Sequence, residues 1–399
     1  MPTTRTQRLL IFLLATIYLV LSGCAHVALP ARGEVAGQVV DTTLDAPVAR
    51  YYLEHYLRGT RHDASLDAEL DALHRIPANH LPTREYLQEL SQRYSTDFSS
   101  LYIADRLARE PRSIPWQLDF YDRLARLRLS GARLAPSAEF SKYLILFVPG
   151  WDYEKSGHFT GADFARPRAR LESSGLKTRL IEIPSTGSVE QNASAIADVL
   201  RRFQSPLPRI ILVSASSGGP AAAQALGKLL TAAESCRVHA WVNIGGLLRG
   251  TPLFDPYRSG PRRWLGRAFA WLQGWEWDAL ESLGRERAGA RFTKLQLPEH
   301  LLVVNYIGIP LSGNVSELAR ERYLGLRKHG PNDGLTLIAD ALVPGQPTIP
   351  AMGLDHYLAQ DPELDLKSLA LTLTLIEELE KPRAGTCPSL SRVNQRNRS

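Results

Sequence analysis

At 399 residues the chain exceeds what one hydrophobic core comfortably organises, so a main domain of about 250 residues with a smaller companion is expected. Its composition, 44% hydrophobic and 22% charged, is that of an ordinary globular protein. The net charge of +6 comes from Lys and Arg scattered among acids. No basic stripe that could track phosphates is present, which argues against a nucleic-acid partner.

The first residues read as an address. Arg5 and Arg8 precede an uncharged apolar run from Leu9 to Leu21, followed by Ser22, Gly23 and Cys24. This is the order of a secretory signal peptide over 1–23, too short to span a bilayer comfortably. Leu21-Ser22-Gly23-Cys24 resembles the lipobox of bacterial lipoproteins, which implies acylation of the Cys24 thiol and a mature chain beginning there. A lipid anchor in the cell envelope, facing the periplasm or the exterior, follows from that resemblance. Ala25 in place of Asp favours the outer membrane on the same likeness. A plain secretory signal with an incidental Cys24, or an uncleaved anchor, are the competing readings. Residues 24–47 carry no strong pattern and are taken as a linker.

From 48 to about 135, apolar residues recur at helical spacing, as in Tyr86, Leu87, Leu90 and Tyr94. Prolines 77, 82, 111 and 115 divide the region into several helices, with Thr83 as an N-cap. It reads as a helical packing or docking module.

After Pro136 the pattern changes to short apolar runs separated by helix-length segments, which predicts a mostly parallel sheet flanked by helices, over 136–382. Strands are expected at Tyr143 to Val148, Thr178 to Ile183, Arg209 to Ser214, Val238 to Ile244 and Leu301 to Tyr306. Helices are expected at Asn192 to Phe203 and Pro220 to Leu230. The tail 383–399 is basic and lacks apolar periodicity, which predicts disorder. Besides Cys24 only Cys236 and Cys387 are present. Their compartment permits a bridge that spacing cannot prove, and two thiols without a His cluster make no zinc site.

The strand Ile210-Ile211-Leu212-Val213 runs into Ser214-Ala215-Ser216-Ser217-Gly218-Gly219 and then into an Ala-rich helix. A sharp strand-to-helix turn strains its central residue and tolerates only small neighbours two positions either side, a condition that Ser214 and Gly218 meet around Ser216. Pro220 rather than Lys follows the glycines, against a Walker-type phosphate loop. An ordinary small-residue turn remains the plain alternative. Here the chain resembles the α/β-hydrolase superfamily, with Ser214 where the first Gly of G-x-S-x-G is usual. The resemblance implies Ser216 as nucleophile, with Ser217 as the rival.

The same likeness implies an oxyanion hole from the backbone N–H groups of Ser217 and Trp151. Trp151 lies in Phe147-Val148-Pro149-Gly150-Trp151-Asp152, where Gly150 permits close backbone approach. Superfamily order places an acid and then a His after the nucleophile. His300 opens a strand, and His329 precedes the expected acids, which favours His356 in Met352-Gly353-Leu354-Asp355-His356-Tyr357. Asn332-Asp333-Gly334-Leu335 resembles the acid-bearing segment of bacterial lipases, although Asn-Asp-Gly also suits a simple turn. Asp333 is the leading acid, with Asp340 and Asp355 as rivals. Leu358 stands where those lipases help bind calcium, so neither a metal nor any cofactor is expected.

The resemblance therefore implies a serine hydrolase acting on carboxylic esters or lipids. A thioesterase, acyltransferase or amidase would use the same groups, and a lipoprotein could keep the fold purely as a binding module. Trp264, Trp271, Trp275 and Trp277 crowd an expected insertion at about 251–297, a common place for a lid. They suggest an acyl-binding wall that also touches a membrane, or else the packed underside of a fixed cap.

Overall fold

The computed structural model describes residues 28–130, 138–203 and 208–382. The expected signal peptide, the Cys24 lipidation site and the tail beyond 382 lie outside the described residues.

The expected linker is instead mostly a hairpin. β1 (Leu29–Val35) and β2 (Gln38–Leu44) pair antiparallel about a turn in which both Ala36 (φ 55°) and Gly37 (φ 68°) are left-handed. Two positive φ values are what a two-residue hairpin of right-handed twist needs. Ala31, Val35, Val40 and Leu44 are buried, while the residues between them are exposed or half-buried. This alternation is diluted by Gly33, Arg32 and Glu34, which is why the sequence pattern was too weak to declare it.

Five helices follow. α1 (Pro47–Tyr51) continues into a π-helical turn, Tyr52–Tyr56. Then come α2 (Ala64–Leu73), α3 (Arg84–Arg93), α4 (Thr96–Ala108) and α5 (Ser113–Leu129). The N-caps of α2, α3 and α4, Asp63, Thr83 and Ser95, each accept a backbone N–H from the first turn. These helices share their core with the rest of the chain: Leu53, Phe98 and Leu101 pack in one cluster with Ile307, Ile309 and Ile338. Phe120 and Leu124 of α5 join the cluster on one face of the main sheet.

That sheet has six parallel strands in the order β4-β3-β5-β6-β7-β8. In chain order they alternate with helices: β3 (Tyr143–Val148), α6 (Tyr153–Thr160), α7 (Ala165–Ser173), β4 (Lys177–Leu180), α8 (Val189–Arg201), β5 (Arg209–Ala215) and α9 (Gly218–Gln224), which continues into a π-helical turn. The short α10 (Ala232–Ser235) leads to β6 (Val238–Ile244). An excursion of α11 (Gly260–Gln273), α12 (Trp277–Ser282) and α13 (Arg285–Phe292) precedes β7 (Leu302–Ile309). α14 (Glu317–Leu326), β8 (Thr348–Met352) and α15 (Leu364–Glu380) close the chain.

Several strand limits shift. β4 runs from Lys177 only to Leu180 rather than from Thr178 to Ile183, β5 gains Ala215, and β7 begins at Leu302 and runs on to Ile309. β8 has no counterpart in the sequence reading, because Pro350 sits inside it opposite Ile307. As an edge strand paired to β7 alone, β8 can carry a residue that donates no ladder hydrogen bond. One face of the sheet packs against α5, α7 and α15, and the other against α8 and α9. The carboxyl ends of β3, β5, β6 and β7 therefore converge on one edge, where the loops carry the polar residues.

Candidate active site

Ser216 follows β5 directly and adopts φ 53°, a left-handed conformation that costs a non-glycine residue energy and persists only where the surroundings enforce it. They do so from three directions. Ser216 N–H donates to Ile244 O (3.2 Å), and Ser216 O accepts from Gly219 N–H and Leu247 N–H (3.1 Å each). A Cβ on Gly218 would lie 2.5 Å from Pro149 O, so only glycine fits between the new helix and the β3 loop. A Cβ on Gly150 would come within 3.3 Å of Ser216 Cβ, so the backbone of that loop approaches the serine closely. Ser214, the departure from the usual glycine, is fully buried, and its Oγ accepts from Trp241 Nε1–H at 2.8 Å.

His356 lies in the loop after β8, with its Nδ1 2.8 Å from Asp333 Oδ2. The backbones agree, because His356 N–H donates to Asp333 O at 2.7 Å. The other carboxylate oxygen, Oδ1, accepts from Leu335 N–H (2.9 Å) and Thr336 N–H (2.7 Å). Asp333 is 1% exposed, so both oxygens are held away from water. Gly245 packs on the pair: a Cβ there would stand 3.6 Å from Asp333 Oδ2 and 3.8 Å from His356 Nδ1. This contact was missed in the sequence, where Gly245-Gly246 at the end of a strand was the available signal.

The rival acids are engaged elsewhere. Asp340 faces Arg84 at 3.4 Å, and burial raises its carboxyl above the usual range against the pull of Arg84 and Arg249. Asp355 accepts from Ser316 N–H (2.7 Å) and Tyr357 N–H (2.8 Å), which holds the start of α14. Among the histidines, His300 Nε2 contacts Ser235 O, and His239, which also follows Ser216 in the chain, contacts Arg237 O. Both lie at the amino ends of the strands, away from Ser216. Cys236 is disulfide-bonded, whereas Cys387 lies outside the described residues.

The N–H groups flanking Trp151 are used: Gly150 N–H donates to Ala162 O (3.0 Å) and Asp152 N–H to Ser185 O (2.8 Å). Among the described residues, neither Trp151 N–H nor Ser217 N–H has a protein acceptor. Ser216, Ser217, Trp151, Asp333 and His356 all line one cavity of about 840 Å³. Ser216 and His356 share this cavity without a hydrogen bond between them. Such contacts commonly tighten only when substrate is present.

The four tryptophans divide. Trp275 and Trp277 line the cavity, and Trp275 meets Trp151 edge-on with ring centroids 5.6 Å apart. Trp264 and Trp271 are 71% and 78% exposed and do not line it, so the expectation that all four form one acyl-binding wall is corrected. The reason is helical phase: on α11, Leu265 and Phe269 turn to the cavity, and Trp264 and Trp271, seven residues apart, share a different face that turns outward.

Comparison with solved structures places this architecture. The chain is similar to a metagenomic carboxyl esterase at 20% identity and a TM-score of 0.50, covering 62% of this chain and 78% of that one. It is also similar to a lipase of Bacillus licheniformis in mature form (21% identity, TM-score 0.47, 61% and 94% covered). A third likeness is to lipase 1 of Pelosinus fermentans (12% identity, TM-score 0.45, 61% and 100% covered). No protein-family model matches the chain, and no curated protein matches it in sequence. The chain has the α/β-hydrolase fold: a mostly parallel sheet flanked by helices, with a helical N-terminal region before it.

Proposed function

We propose that this protein is a serine hydrolase of carboxylic esters, with Ser216 as nucleophile, His356 as general base and acid, and Asp333 as the group that orients the imidazole. The observation that carries the reading is the Asp333–His356 pair at 2.8 Å lining the same cavity as a serine held at φ 53°. The carboxyl esterase among the structural neighbours supports the choice of bond.

His356 Nε2 takes the proton of Ser216 Oγ as that oxygen attacks the acyl carbon. Charge on the former carbonyl oxygen is met by the unused N–H groups of Trp151 and Ser217, the latter at the positive end of α9. The tetrahedral adduct collapses, His356 gives its proton to the departing alkoxide, and the acyl group stays on Ser216. Water then repeats the sequence with the same His356 and releases the acid. Asp333 accepts a hydrogen bond from Nδ1–H throughout and stabilises the imidazolium without taking its proton.

The lipobox supports an envelope location with acyl chains on Cys24. The outward face of α11 fits that placement, since Trp264 and Trp271 stand exposed with Arg267 between them at helical spacing. Tryptophan with arginine suits the boundary between apolar chains and anionic headgroups. The decisive experiment is labelling of the mature protein by a fluorophosphonate. Labelling at Ser216 that Ser216→Ala abolishes is expected. A folded protein that takes no label would instead be a binding module, and radiolabelled palmitate retained by Cys24→Ser would refute the anchor.

A further inference from the structure

The cavity does not stop at the loops. Its deeper walls are Phe147 of β3, Val213 of β5 and Val242 of β6, which are neighbours across the sheet on the face that packs against α7 and α15. Opposite them the lining comes from α15 at Leu364, Ser368, Leu371, Thr372 and Leu375, spaced as one stripe of a helix. Resting on the hydrolase reading above, we infer that this space is a blind channel for the linear acyl chain of a medium-chain ester.

Direction comes from α15. It starts eight residues after His356, and Glu380 at its far end meets Tyr143 and Arg209, the first residues of β3 and β5. The helix therefore descends against the strands, and the stripe leads from the level of His356 toward their amino ends. Leu364 to Leu375 spans about 16 Å of helix. On the sheet, Val213 lies about 10 Å below Ser216. An extended alkyl chain advances about 1.3 Å per bond, so the channel takes about eight to twelve carbons beyond the reacting carbonyl.

The lining suits a hydrocarbon and little else. Ser368 Oγ donates to Leu364 O and Thr372 Oγ1 to Ser368 O, so both hydroxyl protons are spent within the helix. Leu171 of α7 and Leu375 are each 1% exposed, which puts the inner end in the core. No charged group of α15 lines it. A chain that fills this space removes apolar wall from contact with water or void, which favours the longest acyl group that fits.

The test uses the mature full-length protein and p-nitrophenyl esters from acetate to palmitate. We expect kcat/KM to peak at acyl groups of about nine to thirteen carbons, the carbonyl included, and to fall at least tenfold by palmitate. Leu371→Trp should lower the decanoate-to-butyrate ratio of kcat/KM by tenfold or more, and Leu375→Ala, which deepens the floor, should move the peak to longer chains. A profile that is highest for acetate, or a ratio unmoved by Leu371→Trp in a protein with native circular dichroism, overturns the channel. A binding arm separates it from the chemistry. Ser216→Ala should bind decanoate, the probe here, in isothermal titration calorimetry, and the added Leu371→Trp should abolish that binding. Failure of Ser216→Ala to bind the probe overturns the channel even if the enzyme hydrolyses acetate. Probe binding without any fluorophosphonate labelling would sink the hydrolase reading and leave the channel standing.

Discussion

Asp333→Asn tests the proton relay at the one bond the structure defines best. Asp333 uses Oδ1 for the N–H groups of Leu335 and Thr336 and Oδ2 for His356 Nδ1. An asparagine has one oxygen and one NH2. Turning the NH2 toward Leu335 and Thr336 would lose both backbone hydrogen bonds and bring donors face to face, so the oxygen stays there. The NH2 must then point at His356 and donate to Nδ1. The imidazole is left with its proton on Nε2, where it cannot accept one from Ser216. The expected loss in kcat is about 10³ to 10⁴, or about 4 to 5 kcal/mol of transition-state stabilisation. Stability should change little, because the oxygen that holds the turn is kept. Steady-state turnover of p-nitrophenyl butyrate with a thermal melt measures both. A kcat within tenfold of the parent, with Asp355→Asn or Asp340→Asn abolishing turnover, would refute this assignment of the acid.

Three further outcomes are expected. Ser214→Ala should leave Trp241 Nε1–H buried without its acceptor and cost about 1–3 kcal/mol, seen as a lower Tm with kcat/KM within about threefold of the parent; an unchanged Tm counts against that bond. Burial, and then the carboxylate of Asp45, push Asp97 up to about 7, so the fold holds a proton there that the unfolded chain releases near pH 4. Unfolding free energy should fall as pH rises from about 4 through 7, and Asp97→Asn should flatten that slope in urea titrations; equal slopes would contradict it. The network around Asp97 also includes Ser312, Tyr323 and, through Asp45, Arg327. Trp264→Ala with Trp271→Ala should weaken binding of the unacylated protein to anionic vesicles at least tenfold, given about 25 cal/mol per Å² of apolar surface removed from water; unchanged sedimentation with vesicles would make the outer face of α11 incidental.

Local chemistry made much of this protein legible in its sequence. The runs at Tyr143–Val148 and Val238–Ile244 are strands with those limits, because an apolar segment of seven residues or fewer bounded by turn formers has few other uses. The small residues around Ser216 announced a strained turn, and at Gly218 only glycine avoids the loop at Pro149. Chain order singled out His356 and offered three carboxylates without ranking them physically. Contacts across the fold separate the three, as Asp333 reaches the imidazole while Asp340 meets Arg84 and Asp355 holds α14. The hairpin at 29–44 and the edge strand with Pro350 also needed their partners, because pairing compensates for weak alternation and an edge tolerates proline. Leu371 and Leu375 look like core in any sequence. Apolar periodicity reports that a face turns inward, and only the distance between layers decides whether that face meets other side chains or borders a space.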